Sequence, residues 1–172
     1  MKYILNEIEK ALENKLYYLA LSQIFMLPDI CSSLIYPKLG VAKRYKKWLK
    51  EEFLSLHNDY MINENDFYHF RNSLIHQGST ETKGKFKRLI FILPNNQLRL
   101  SMHNNLIVME NNNGEEEYYY NIDILVFYSD MKSSVENWYK KYKTEINPNL
   151  NKLVQYHKNG YNNIISGIEV IG

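Results

Sequence analysis

Apolar residues recur at three- and four-residue spacing over the first part of the chain, as they do on one face of a helix. This pattern predicts a helix from Lys2 to about Met26. Pro28 is expected to break it, because proline lacks the amide hydrogen and clashes with the preceding turn. A short second helix, capped by Asp29 or Ser32, is then expected to run through Tyr36.

The same spacing predicts a third helix from about Val41 to Leu56. A polar connector, His57 to Glu64, leads to the next helix, DFYHFRNSLIHQG. Asn65 or Asp66 is its expected N-cap, since their side chains can accept hydrogen bonds from free backbone amides. Gly78 is well placed to end this helix, because glycine readily adopts the left-handed conformation that follows a helix.

Residues 86–120 consist of short runs rich in branched and aromatic side chains, separated by turn-forming residues. Such runs predict short strands joined by tight turns. We expect a small antiparallel β-meander here, inserted before the penultimate helix. The expected turns are Pro94-Asn95-Asn96, Asn104-Asn105 and Asn111-Asn112-Asn113-Gly114.

Helical spacing returns after the strands. Asn121 is the expected N-cap of a helix that ends near Lys143, and a short helix from about Pro148 to His157 follows. The apolar tail is expected to pack back or to form an edge strand. The expected fold is therefore mainly α (α+β): a single domain over residues 1–172, with a helical bundle and a β insertion at 86–120.

Composition narrows the class of protein. The chain is 45% hydrophobic and 23% charged, so it can bury a core. A single cysteine, Cys31, excludes a disulfide framework and a CxxC zinc site. No apolar run reaches about 18 residues, and acidic residues interrupt the N-terminal stretch, so we expect neither a membrane span nor a secretory signal. These features favour a reducing cytoplasm, and no cofactor-binding or metal-binding motif is recognised.

The net charge of +2 does not by itself indicate nucleic-acid binding. Basic residues are clustered, however, and one cluster contains Lys43, Arg44, Lys46, Lys47 and Lys50. A solvated helix face would explain such a cluster equally well. The alternative is that the cluster contacts phosphates.

The segment RNSLIHQG places Arg71 five residues before His76 at the end of a helix, with Asn72 directly after the arginine. It resembles the Arg-x4–6-His motif of HEPN domains. The segments LPDICSSLIYP and RYKKWLKEE are also similar to HEPN-like bacterial or phage proteins. The resemblance covers roughly the helical parts of the chain.

This resemblance implies a helical bundle that dimerises and brings two such motifs together in one cleft. Catalytic HEPN proteins cleave RNA without a metal, by attack of the ribose 2′-hydroxyl on the adjacent phosphate. By resemblance, His76 is the general acid or base, Arg71 stabilises the phosphate and Asn72 positions the reacting groups. Imidazole can move a proton near neutral pH, and a guanidinium presents a planar set of donors to phosphate oxygens. Lys43, Arg44, Lys46 and Lys47 would guide the RNA.

Helical geometry leaves alternatives open. Arg71 and His76 are about 140° apart around an ideal helix. Asn72 and His76 share a face with His69, which is either an auxiliary site residue or an ordinary surface histidine. His76 could simply favour the helix dipole. Arg71 could be a structural residue that pairs with an acid such as Asp66 or Asp29.

Two functions are therefore compatible with the sequence. The first is a HEPN-type, metal-independent endoribonuclease that acts as a homodimer in defence or toxin biology. The second is a non-catalytic HEPN-like module that binds a protein or nucleotide, as an inhibitor or antitoxin does. In that case the β insertion and the acidic run Glu115–Glu117 would form the surface for the protein partner.

Overall fold

The computed structural model describes residues 1–94, 100, 102–161 and 164–172. The fold is mainly α, with a small mixed sheet. Its α-helices are α1 (Lys2–Glu13), α2 (Tyr17–Ile35), α3 (Val41–Trp48), α4 (Glu64–Gln77) and α5 (Ile124–Ile146). A π-helical segment (Leu49–Leu54) continues α3, and a 3-10 segment (Asn147–Lys152) continues α5. The strands are β1 (Arg88–Ile92), β2 (Asn105–Glu110), β3 (Glu116–Asp123), β4 (Tyr156–His157), β5 (Gly160–Tyr161), β6 (Ile165–Ser166) and β7 (Val170–Ile171).

The first two helices divide at a different place from the one expected. The chain turns after α1 at Lys15, whose φ of 60° lies in the left-handed region. The next helix then passes through Pro28 and ends at Ile35, so the expected break at Pro28 is wrong. Proline removes one backbone hydrogen bond, and the burial of the apolar side chains of α2 in the core outweighs that loss.

α2 is the central helix of the core. Within the described residues it is the one helix long and apolar enough, by length and composition, to cross a membrane, with a mean hydropathy of 1.4. Half of that stretch is buried inside the fold, and Gln23 and Asp29 interrupt it. A core helix of a soluble protein has these properties, and α2 packs as such a helix against α1, α3 and α5.

Both ends of α4 are held by side-chain and backbone capping. The Asn63 side chain accepts hydrogen bonds from the amides of Asn65 and Asp66, and the Asp66 carboxylate accepts one from the Asn63 amide. The N-cap is therefore Asn63, and the expectation of Asn65 or Asp66 is wrong, because the reciprocal capping box satisfies two free amide ends together. Gly78 has a φ of 62° after the last turn, which confirms it as the end of α4.

The sheet is mixed, so the expectation of a purely antiparallel meander is wrong. The strand order is β1-β3-β2, and β1 runs parallel to β3 while β2 runs antiparallel to it. The turn Asn111–Gly114 joins β2 to β3 as expected. Alternating side chains define the two faces of a strand but not its direction, which explains the error. The expected turn residues Asn95 and Asn96 lie outside the described residues.

Two expected elements of the C-terminal third are also corrected. Asn121 lies inside β3, and Asp123 is the N-cap of α5, accepting hydrogen bonds from the amides of Leu125 and Val126. The expected helix from Pro148 to His157 is only the short 3-10 segment, after which the chain extends into β4. The tail then forms two small antiparallel pairs, β4 with β7 and β5 with β6.

Aromatic rings fill the core between the helices and the sheet. Phe67 of α4 stacks on Phe127 of α5 at a centroid distance of 5.9 Å, and Phe25 of α2 packs on Phe70 at 4.8 Å. Four aromatic residues recur at helical spacing in the sequence, which predicts that they are core residues, and all four are fully buried: Tyr45, Trp48, Phe53 and Trp138. Arg71, Asn72 and His76 lie outside this buried face of α4, and Arg71 reaches Asp29 of α2.

Candidate functional site

The last two turns of α4 carry the candidate site. Phe70 and Leu74 anchor these turns in the core. Arg71 and Asn72 are half-buried, and His76 is exposed within the last turn. The helix thus fixes the backbone of all three candidate residues while their polar ends stay near the surface.

The structure brings the guanidinium and the imidazole together. Nη1 of Arg71 lies 3.3 Å from Nε2 of His76 and 3.0 Å from Oδ1 of Asn72. The two residues start about 140° apart around the helix, and the length of the arginine side chain closes that gap. No unwinding of the last turn is needed, because His76 lies inside the regular helix.

Hydrogen-bond chemistry assigns the roles of the two groups in the contact between Arg71 and His76. Arginine can only donate hydrogen bonds, so Nε2 of His76 must accept with a lone pair. A neutral imidazole with a free lone pair is the form that a general base requires, and here an arginine donor occupies that lone pair.

Asp29 of α2 holds the other side of the guanidinium. Its Oδ2 atom lies 2.5 Å from Nη2 of Arg71, and each of the two side chains is 14% exposed. Of the two acids considered from the sequence, Asp29 is therefore the partner of Arg71, and Asp66 instead caps α4. Arg71 spans from a carboxylate to an imidazole across two helices.

This ion pair is close but incompletely satisfied. Three buried atoms have no partner in hydrogen-bond geometry among the described residues. They are the two carboxylate oxygens of Asp29 and the Nε atom of Arg71. Burial raises the pKa of Asp29 above its usual value, although the charges of Arg71 and Arg44 oppose that rise. A buried polar atom without a hydrogen bond costs free energy, so the pair leaves donor and acceptor capacity open.

The expected RNA-binding cluster on α3 divides into two groups. Arg44 is half-buried and lies near enough to Asp29 for its charge to lower the pKa of that carboxyl. Lys46 is also half-buried, and its Nζ atom donates to Asn65 of α4 at 3.1 Å. Lys43 and Lys47 are exposed. Two guanidinium groups thus accompany one carboxylate, which leaves the site positively charged.

His69 lies away from this centre. It is exposed two turns before His76, about 10 Å along the helix axis, and its ring contacts that of Tyr68. Within the described residues, no hydrogen bond or ion pair joins His69 to Arg71 or His76. Within the described ranges, no three His, Cys, Asp or Glu side chains are close enough to hold a metal ion.

A second polar cluster was not predicted from the sequence. Tyr60 donates to Oδ2 of Asp130 at 2.9 Å, and Nδ1 of His57 lies 3.7 Å from Oδ1 of the same aspartate. His103 packs edge-on against Tyr60 and accepts from the amide of Asp123. These groups join the connector before α4 to the start of α5. They are far apart in sequence, so no local pattern could have revealed them.

Comparison with known proteins adds no relative. No protein-family model, no curated protein and no solved structure matches this chain.

Proposed function

We propose that this protein is a metal-independent endoribonuclease of HEPN type, acting in the cytoplasm in defence or toxin biology. The observation that carries the proposal is the 3.3 Å approach of Arg71 Nη1 to His76 Nε2. At this separation, a guanidinium that donates hydrogen bonds to a phosphate and an imidazole that accepts a proton can act on the same phosphodiester. The positive charge of the surrounding site, with Arg44 nearby, supports an anionic substrate.

In the proposed reaction, the incoming phosphate competes for the Arg71 guanidinium. Nη1 turns from His76 to a phosphate oxygen, and the lone pair of Nε2 becomes free. His76 then takes the proton from the ribose 2′-hydroxyl, whose oxygen attacks phosphorus. The bond to the 5′-oxygen breaks, leaving a cyclic phosphate and a 5′-hydroxyl.

The leaving 5′-oxygen needs a proton, which a homodimer can supply. The partner subunit's His76, in its protonated form, would donate that proton across a symmetric cleft. Asn72 is assigned to positioning, since its Oδ1 atom accepts from Nη1 of Arg71 at 3.0 Å. Asp29 is assigned to holding the guanidinium plane from the opposite side.

The non-catalytic binding module remains the second candidate. The observation that favours it is the engagement of Arg71 by both Asp29 and His76, which leaves neither terminal nitrogen free in the absence of a ligand. On this alternative, the cluster is a structural tie between α2 and α4. The protein would then bind a protein or nucleotide partner without cleaving RNA.

The test is a cleavage assay with mixed single-stranded RNA in the presence of EDTA, followed by analysis of the fragment ends. We expect fragments with cyclic-phosphate ends from the unmodified protein and none from His76→Ala. Gln77→Ala, which changes the exposed neighbouring residue on α4, is the matched control and should cleave normally. Undiminished cleavage by His76→Ala would remove the assignment, and no cleavage by any form would favour the binding module.

A further inference from the structure

We propose that Tyr18 forms a stacking platform for a nucleobase next to the phosphate site; this inference rests on the proposed function. Tyr18 lies at the start of α2 and is 56% exposed, although α2 is the core helix. Its hydroxyl lies 3.9 Å from the position that a Cβ atom would occupy on Gly78. The hydroxyl end of the ring therefore lies beside the end of α4, the helix that carries His76.

The packing of α2 on α4 places Tyr18 on the side of α2 that also carries Asp29. The start of α2 meets the end of α4 at Tyr18 and Gly78, and Asp29, further along α2, contacts Arg71, earlier in α4. The two helices thus run antiparallel. Along α4, His76 lies between the two contacts, about 3 Å of helix axis from Gly78.

The chemistry of this rim fits a base beside a phosphate. Leu19 is 54% exposed and Leu16 is 50% exposed, so apolar surface is exposed next to Tyr18 at the start of α2. Proteins that bind single-stranded nucleic acid combine a positive groove with aromatic rings on which bases stack.

The experiment measures binding to an RNA that cannot be cleaved. The probe is a fluorescent single-stranded oligomer with 2′-O-methyl ribose throughout, compared with an abasic oligomer of the same length and charge. We expect the unmodified protein to prefer the oligomer with bases, and Tyr18→Ala to weaken that binding about 10-fold. Tyr18→Phe keeps the ring and should bind normally. Tyr156→Ala, at another exposed tyrosine, is the control.

The outcomes separate this inference from the nuclease proposal. Equal binding of the two oligomers, or unchanged binding by Tyr18→Ala, would overturn the stacking platform. If Tyr18→Ala binds RNA normally but has a different oligomeric state in solution, Tyr18 belongs to a protein interface and the inference is again wrong. Base-dependent binding that needs Tyr18, without RNA cleavage by the unmodified protein, would overturn only the nuclease. Normal cleavage with binding that ignores the bases would overturn only the platform.

Discussion

Arg71 Nη2 lies 2.5 Å from Oδ2 of Asp29, so the candidate arginine is fixed by an acid from a different helix. The ion pair orients the guanidinium with its other terminal nitrogen towards His76. It also places a carboxylate in a largely buried position. The two effects lead to separate predictions, one for stability and one for activity.

The ionisation of Asp29 should make stability depend on pH. Burial raises its folded-state pKa above the usual value of 3.8, so the folded state binds more protons than the unfolded state between those two pKa values. The contribution of Asp29 to the free energy of unfolding therefore falls as pH rises from about 3.8 through the raised pKa, and is constant above it. Asp29→Asn removes this titration.

Urea unfolding of both proteins across that pH range checks this prediction. The free energy of unfolding of the unmodified protein, minus that of Asp29→Asn, should decrease as pH rises. Two curves that stay parallel would contradict the prediction. A difference that increases with pH would mean that Arg71 lowers the pKa of Asp29 by more than burial raises it.

Arg71→Lys keeps the positive charge but removes the planar fork of donors. A lysine ammonium cannot face Asp29 and a phosphate at once with the geometry of a guanidinium. If the protein cleaves RNA, we expect the single-turnover rate to fall at least about 100-fold, the scale seen when one transition-state donor is lost. Arg88→Lys, at an exposed arginine that pairs with Glu81, should keep its rate.

The cap of α4 gives a prediction that is independent of function. Asn63→Ala removes the acceptor for two backbone amides and should lower the free energy of unfolding by about 1 kcal/mol. Asn65→Ala removes only an exposed hydrogen bond from Lys46 and should cost clearly less. Chemical denaturation of the two variants compares them directly. A larger loss from Asn65→Ala would falsify the assignment of Asn63 as the cap.

Local signals predicted the helical class and the end of α4 well. The spacing of apolar residues predicted the core positions of Trp48 and Trp138, and Gly78 ends α4 because few other residues adopt a φ of 62° at low cost. These features depend on residues close together in sequence. The prediction of a helix break at Pro28 was wrong, because burial in the core stabilises a helix that local propensity would end there.

The contacts of the site could not be predicted from short stretches of sequence, because they depend on how the helices pack. The sequence left two acids as possible ion-pair partners of Arg71, and the packing of α2 against α4 brings Asp29 to it. An ideal helix separates Arg71 from His76, and the bend of a long side chain joins them. The ring of Tyr18 beside Gly78 depends on the turn at Lys15, whose left-handed conformation no residue pattern indicated.

The junction of β3 and α5 has a consequence for how the chain can vary. Asp123 is both the last residue of the strand and the N-cap of the helix, so no loop separates the two elements. One inserted residue would rotate α5 by about 100° relative to the sheet and shift it along its axis. Insertions and deletions are therefore expected to be excluded at this junction and tolerated at the Asn111–Gly114 turn, which is exposed at its tip.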